Sequence, residues 1–293
     1  MESTQSSLVP SDEAKEKYFT QAALDYQPTN QDIFITTSKG ETQRLIFAKP
    51  QQLKENEEKE LQGLRDYIRS RGNQMPPGFD DDQRLILRFL QGMKFHYEHT
   101  EKAMNENAIW RRESFPMDTR PFMDYLNQGI IYAYQRDKGQ RPIIIINVEK
   151  ISSSKIEQQN LINLSDYFLD HILTNIMYPS RIENWNVIVD LNNVGLTQIP
   201  QKLLKNMIAA MQRNYRGRMF KLYAINTHWL VRGLFKIAKS MLDEFTLSKI
   251  NVLSTDFQAS LLQTIDKSCL EQQYGGTLPN KTANYFPPEM LPQ

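Results

Sequence analysis

Residues 220–253 read "FKLYAINTHWLVRGLFKIAKSMLDEFTLSKINVL". "FKLYAIN" and "KINVL" are short apolar runs rich in β-branched and aromatic residues, the composition of strands. Between them lies a helix-length segment, residues 229–242. At about 100° per residue, Leu230, Val231, Leu234, Phe235, Ile237, Ala238, Met241 and Leu242 fall within one arc of under about half a turn. Arg232, Lys236, Lys239 and Ser240 fall opposite, and Trp229 stands at the N-terminal end outside that division. Two readings fit. One is a core helix of an α/β domain with a solvated basic back. The other is an interfacial helix whose apolar face turns to lipid while its Trp and basic residues meet headgroups. Periodicity alone does not separate them. The turn that follows places a hydroxyl, Thr246, three positions before a cation, Lys249.

Outward from this stretch the same alternation continues. "IIYAYQ" (130–135), "RPIIIINV" (141–148) and "WNVIVDL" (185–191) read as strands. Helices are expected at about 157–177, 201–213, 229–242 and 256–266. Strands interleaved with helices predict a largely parallel sheet with helices packed on it, and "IIIIN" suits a strand buried on both faces. Upstream, "PQQLKENEEKELQGLRDYIRSRG" reads as a charged helix ending near Gly72, and Pro76-Pro77-Gly78 breaks the chain. Asp82 is placed to cap the next helix, in which Leu85, Ile86, Phe89, Leu90 and Met93 share a face away from Arg84 and Arg88. "TEKAMNENAIWRRE" adds a further helix. The expected organisation is an extension over 1–50, a small helical domain over 51–115, an α/β domain over 116–280 and a tail over 281–293. Within the extension, "DIFITT" and "RLIFA" flank Ser38-Lys39-Gly40, as a hairpin or simply a tail.

Composition bounds the function. The chain has 293 residues, enough to bury a sizeable core. Lys and Arg total 35 against 34 Asp and Glu, so no basic excess calls for nucleic acid. A single cysteine, Cys269, excludes an intrachain disulfide framework and points to a reducing compartment. "MESTQSSLVPSDEAKEKYF" has no secretory or mitochondrial leader pattern, and no run approaches the roughly 20 apolar residues of a membrane span. A cytoplasmic protein is expected.

No catalytic constellation emerges. His96 and His99 have no third metal ligand indicated, and the Asp80-Asp81-Asp82 run suits a helix start better than a calcium loop. Asp190 ends "VIVD" without an accompanying nucleophile or base, and no nucleophile elbow, Walker loop or dinucleotide fingerprint is present. The expectation is a protein without metal, cofactor or enzymatic activity.

"DDQRLILRFLQGMKFHYEHTEKAMNENAIWRRE", "DKGQRPIIII", "VIVDLNNVG", the opening stretch and "YGGTL" occur in the order typical of the CRAL-TRIO lipid-binding family, which the chain resembles over roughly residues 53–278. That family includes a yeast phosphatidylinositol/phosphatidylcholine transfer protein and the α-tocopherol transfer protein. The resemblance implies a mostly parallel sheet and a mobile amphipathic gate helix closing a lipid-sized cavity, preceded by a small all-helical domain. Residues 228–242 fall at the gate position, which favours the interfacial reading. Trp229, Leu230, Leu234, Phe235, Ile237 and Met241 would then face lipid, and Arg232, Lys236 and Lys239 would meet the membrane. The resemblance also implies that Thr246, Lys249 and Lys94 hold an inositol phosphate. A hydroxyl and two ammonium groups suit a phosphodiester. The competing reading of this turn is plain helix punctuation, with Thr246 or Ser248 as a cap and Lys249 solvated.

Three positions depart from the family pattern. Gly217 in "YRGRMF" replaces an acidic residue, Phe220 replaces a small glycine, and Met93 stands where phosphoinositide binders have a base. A neutral tocopherol-like or sterol-like cargo therefore stays open beside a phosphatidylinositol-type lipid. Ile144, Ile146, Val187, Val189, Tyr223 and Ile225 are candidate lining residues. The expected function is non-enzymatic transfer of one lipid by a peripherally membrane-associated protein. The alternative is an assembly subunit that contacts protein partners through residues 1–50.

Overall fold

The computed structural model describes residues 9–37, 39–80, 83–194, 201–227 and 232–291. The N-terminal part comprises α1 (Asp12–Tyr18), α2 (Gln21–Asp25), α3 (Asn30–Ile33), β1 (Phe34–Thr36), β2 (Thr42–Arg44), α4 (Glu55–Ser70), α5 (Gln83–Gly92) and α6 (Tyr97–Ser114). After α7 (Met123–Leu126) come β3 (Ile131–Arg136), β4 (Pro142–Asn147), α8 (Val148–Ser154) and α9 (Gln158–His171), which a π-helical turn, Ile172–Ile176, extends. Then follow β5 (Trp185–Asp190), α10 (Gln201–Asn214), β6 (Met219–Ile225), α11 (Arg232–Met241), α12 (Glu244–Ser248), β7 (Ile250–Val252) and α13 (Gln258–Thr264).

β3 to β7 form one sheet in chain order, with β3 antiparallel to β4 and the rest parallel. Parallel crossovers are right-handed, so when spatial order follows chain order every connecting helix returns on the same face. The packing agrees: α9 contributes Leu164, Phe168 and Leu169 to the core that holds Ile144 and Val187, and Leu204 of α10 packs near Val189 and Ala224. The opposite face is closed by α13 and the C-terminal segment. Ile143, Ile145, Ile188, Tyr223 and Ile225 pack there with Phe257, Leu261, Ile265 and Leu270. Tyr223 and Ile225, expected among the lining residues, therefore belong to this second face; the Tyr223 hydroxyl sits 2.8 Å from Thr264 Oγ1. Side chains alternate along a strand, and the residues that β6 turns to the first face are Leu222 and Ala224.

The described N-terminal residues are fastened into this body. Ala14, Tyr18, Phe19 and Ala23 are buried in the core of the first sheet face. β1 and β2 pair as an antiparallel hairpin, with Thr37 N donating to Glu41 O at 2.8 Å and Gly40 in left-handed backbone (φ +84). Three buried arginines hold the segment through ion pairs. Arg44 donates to both oxygens of Glu57 at 2.8 and 2.6 Å, and Arg141 pairs with Asp32 of α3 and with Asp137. Arg88 of α5, expected away from the apolar face of that helix, is buried and meets Glu183 at 2.5 Å; Glu183 also accepts the backbone N–H groups of Phe47, Ala48 and Ser180. Losing one partner of such a pair costs about 3–5 kcal/mol, because the other charge stays buried. Asp82, the expected cap of α5, lies outside the described residues.

Candidate functional site

The site is built where α11 hands over to β7. α11 ends at Met241, and Asp243 opens α12 by accepting the Thr246 N–H on Oδ1 at 2.7 Å. An acid just before the first turn is a common N-cap. Ser248 Oγ donates back to Phe245 O at 2.7 Å. The capping role thus falls to Asp243, and the Thr246 hydroxyl has no hydrogen bond among the described residues. Lys249 is the C-cap of the same turn, its N–H donating to Thr246 O at 3.2 Å. Thr246 and Lys249 are therefore held together by a single helical turn.

Lys249 is not solvated. It is 6% exposed, and among the described residues no hydrogen-bond acceptor or carboxylate engages its ammonium. Burial holds its pKa down to about 8; Asp243 opposes that shift, and the neighbouring Arg88 charge adds to it. A buried amine without a partner is costly in its charged form.

The two departures from the family motif around β6 are built into the surrounding structure. Gly217 has a left-handed backbone (φ +63), and a Cβ there would come within 3.1 Å of Arg88 Nη1. Its carbonyl accepts from Arg88 Nη1 at 2.9 Å and from Asn184 Nδ2 at 2.7 Å. A glutamate at this position would strain the backbone and crowd the guanidinium. Phe220 lies under Arg141, whose guanidinium carbon is 3.5 Å from the ring centroid. Arg216 packs on α5 against Gly92, 5.3 Å above the Phe89 ring. The region is thus rich in cations: Arg88 pairs with Glu183, whereas Lys249 has the Asp243 carboxylate in electrostatic reach but no hydrogen bond or ion pair among the described residues.

Lys94, the third expected phosphate ligand, is exposed in the left-handed turn Lys94–Phe95 that stops α5. Among the described residues no hydrogen bond or ion pair joins it to Thr246 or Lys249. The α5 cation in electrostatic reach of Lys249 is Arg88. Sequence reasoning overlooked both Arg88 and Asp243; the Asp243-Glu244 pair just before a helical turn was the available signal for the second.

Beside this turn, the sheet face under α10 and α11 grades from closed to open. In register across β4 to β7 run Ile144, Val187, Leu222 and Ile250, then Ile146, Val189, Ala224 and Val252. Ile144 and Val187 are buried, Ile146, Val189, Leu222, Ala224 and Ile250 are half-buried, and Val252 is 38% exposed. Apolar residues in the interior of a sheet keep accessible surface only where the covering layer stands off. On α11, Phe235, Ile237, Ala238 and Met241 are half-buried, whereas Gly233, Lys236, Lys239 and Ser240 are exposed. Trp229 and Leu230 lie outside the described residues, and only the backbone placement of Arg232 and Leu234 is described. A separate cleft of about 380 Å³ between Lys17 and residues 284–291 shares no lining residue with this face.

Asp190 is consumed structurally, accepting from Asn192 N at 3.0 Å, Asn226 Nδ2 at 2.8 Å and the Tyr274 hydroxyl at 3.3 Å. No helix among the described residues is long and apolar enough to cross a membrane.

Comparison with known proteins places this architecture. The chain is 29% identical over 231 residues to the phosphatidylinositol/phosphatidylcholine transfer protein SFH12 of Arabidopsis thaliana, covering 70% of this chain and 41% of that one. It is 28% identical over 247 residues to the SEC14 cytosolic factor of Kluyveromyces lactis, covering 78% and 80%. The Sec14 cytosolic factor of Schizosaccharomyces pombe is 26% identical over 218 residues, covering 67% and 74%. The chain spans less than half the length of the Arabidopsis relatives it matches. The crystal structure of Sfh5 shares the fold with a TM-score of 0.62 at 16% identity, over 82% of this chain and 95% of that one. Residues 126–276, just over half of the chain, match the CRAL/TRIO domain, and the chain belongs to that family.

Proposed function

We propose that this protein binds a single lipid between the sheet and α11 and moves it between membranes without covalent chemistry. The acyl chains lie along the half-buried face of Ile146, Val189, Leu222 and Ala224, and the phosphate meets Lys249 and the Thr246 hydroxyl. One observation carries this reading. Lys249 is a buried lysine at the end of an apolar face, and among the described residues no hydrogen bond or ion pair engages its ammonium. A phosphodiester supplies the missing charge, and the Thr246 hydroxyl supplies a second donor. The relatives named as phosphatidylinositol/phosphatidylcholine transfer proteins support a phospholipid over a neutral cargo.

α11 serves as the gate in this reading. Phe235, Ile237 and Met241 face cargo when it is shut; Lys236 and Lys239 meet headgroups when it opens. Contact with the membrane is peripheral and transient, and exposed Lys94 is the third headgroup ligand in this reading.

The test is transfer of fluorescent phosphatidylinositol and phosphatidylcholine between vesicles. The native protein should accelerate phosphatidylinositol transfer, and Lys249→Ala and Thr246→Ala should each slow it by about tenfold or more, the loss of a charge-assisted hydrogen bond. Transfer no faster than vesicles alone, or variants as fast as the native chain, would contradict it.

A further inference from the structure

The β1–β2 hairpin reaches the joint behind α11. Lys39 at its tip lies 3.0 Å from each oxygen of Glu244, the first residue of α12, across 205 residues of chain. The base of the hairpin is rigid. Arg44 N donates to Gln91 Oε1 at 2.8 Å, Gln91 Nε2 donates to Arg44 O at 2.9 Å, and the Arg44 side chain is locked on Glu57. The tip is the reverse, with the side chains of Lys39 and Glu244 67% and 52% exposed.

Only Leu242 and Asp243 separate the end of α11 from Glu244, so any swing of α11 off the sheet bends the chain there. Among the described residues, a second polar tie at this end of the helix is Gln212 Nε2 donating to Met241 O at 3.0 Å. A charge contact fixed to the N-terminal part and placed next to the bend biases α11 toward the sheet. An exposed ion pair is weak and screened by salt. That weakness suits a catch that must let go.

We propose that the hairpin is a latch on the gate joint, and that an anionic bilayer releases it by taking Lys39 from Glu244. Anionic headgroups offer competing phosphates and carboxylates at high density, and exposed Lys236 and Lys239 on α11 add further cations that attract them. Lys39 then exchanges an intramolecular carboxylate for lipid, and the joint is free to bend. The purpose of the latch rests on the lipid-transfer reading, but its existence does not.

Hydrogen exchange of the α11 amides in the full chain tests it, read by mass spectrometry beside vesicle transfer. Lys39→Glu and Glu244→Lys should each raise α11 exchange roughly two- to fivefold, the range an exposed pair allows. The double exchange should return it to the native rate, and amides of β4 and β5 should not respond. Vesicles containing phosphatidylserine should raise the native rate to that of the single variants, and pure phosphatidylcholine vesicles should not. Unchanged α11 exchange in both single variants, or no rescue in the double, overturns the latch. Equal action of neutral vesicles overturns its release by anionic lipid. Exchange behaving as described while no variant moves lipid supports the latch and overturns the transfer reading.

Discussion

The two faces of one sheet are built from the same strands and finished differently. Toward α13, Ile145, Ile188, Tyr223 and Ile225 are sealed under Phe257, Leu261 and Ile265. Toward α10 and α11, their sequence neighbours Ile146, Val189, Leu222 and Ala224 keep accessible surface. Composition does not cause the difference, since both rows are apolar. The covering layer does: α13 presses its apolar residues into the sheet, whereas none of the described α11 side chains is buried. A sealed face contributes stability. An open apolar face of a folded chain forgoes that contribution and leaves room for a guest.

Mutations on the two faces should therefore differ in kind. Leu261→Ala on the sealed face should cost about 2–5 kcal/mol in denaturant unfolding, the price of a cavity in a packed core. Next in size, Lys249→Met should stabilise the lipid-free protein at pH 7 by about 1–3 kcal/mol, since it removes a buried unpaired charge. The sign follows from the depressed pKa. Below about pH 8 the amine is charged in both states, and its burial penalty is fully present. Between about 8 and the ordinary 10.5 the native state sheds its proton first, so native stability rises with pH and the benefit of Met shrinks. The same titration should weaken retention of an anionic lipid above about pH 8, which lipid release measured from pH 6 to 10 would check. The smallest effect is expected for Leu222→Ala on the open face. It should change stability by about 1 kcal/mol or less, because little packing is lost, yet it should loosen bound lipid. A Leu222→Ala penalty as large as that of Leu261→Ala would erase the contrast between the faces.

Much of this architecture is legible in the residues. The alternation of "IIIIN", "WNVIVDL" and "FKLYAIN" with helix-length segments specifies the parallel sheet, and the segregation on residues 229–242 marks the amphipathic helix. Which row of each strand faces which layer is not legible, because both rows of β6 are apolar; Tyr223 was placed on the wrong side for that reason. Ion pairs between distant segments leave no local pattern either. Arg88 sits in an ordinary helical spacing, and distant partners make it a buried anchor: Glu183, 95 residues away, and the carbonyls of Arg216 and Gly217. The docking of residues 9–50 depends on such pairs and so stayed hidden behind a polar composition. At the candidate site the Thr246–Lys249 spacing was visible, but the burial of Lys249 comes from tertiary packing around α12 and β7, which leaves no local pattern.

Ala224 stands between Val189 and Val252 in the middle of the open row, and native mass spectrometry of the intact protein beside Ala224→Trp probes that space most directly. The native chain should carry the mass of one lipid, and the tryptophan variant should fold with unchanged thermal stability and carry none. A native chain at its bare mass, or a variant that unfolds because the row was already filled, would contradict the account.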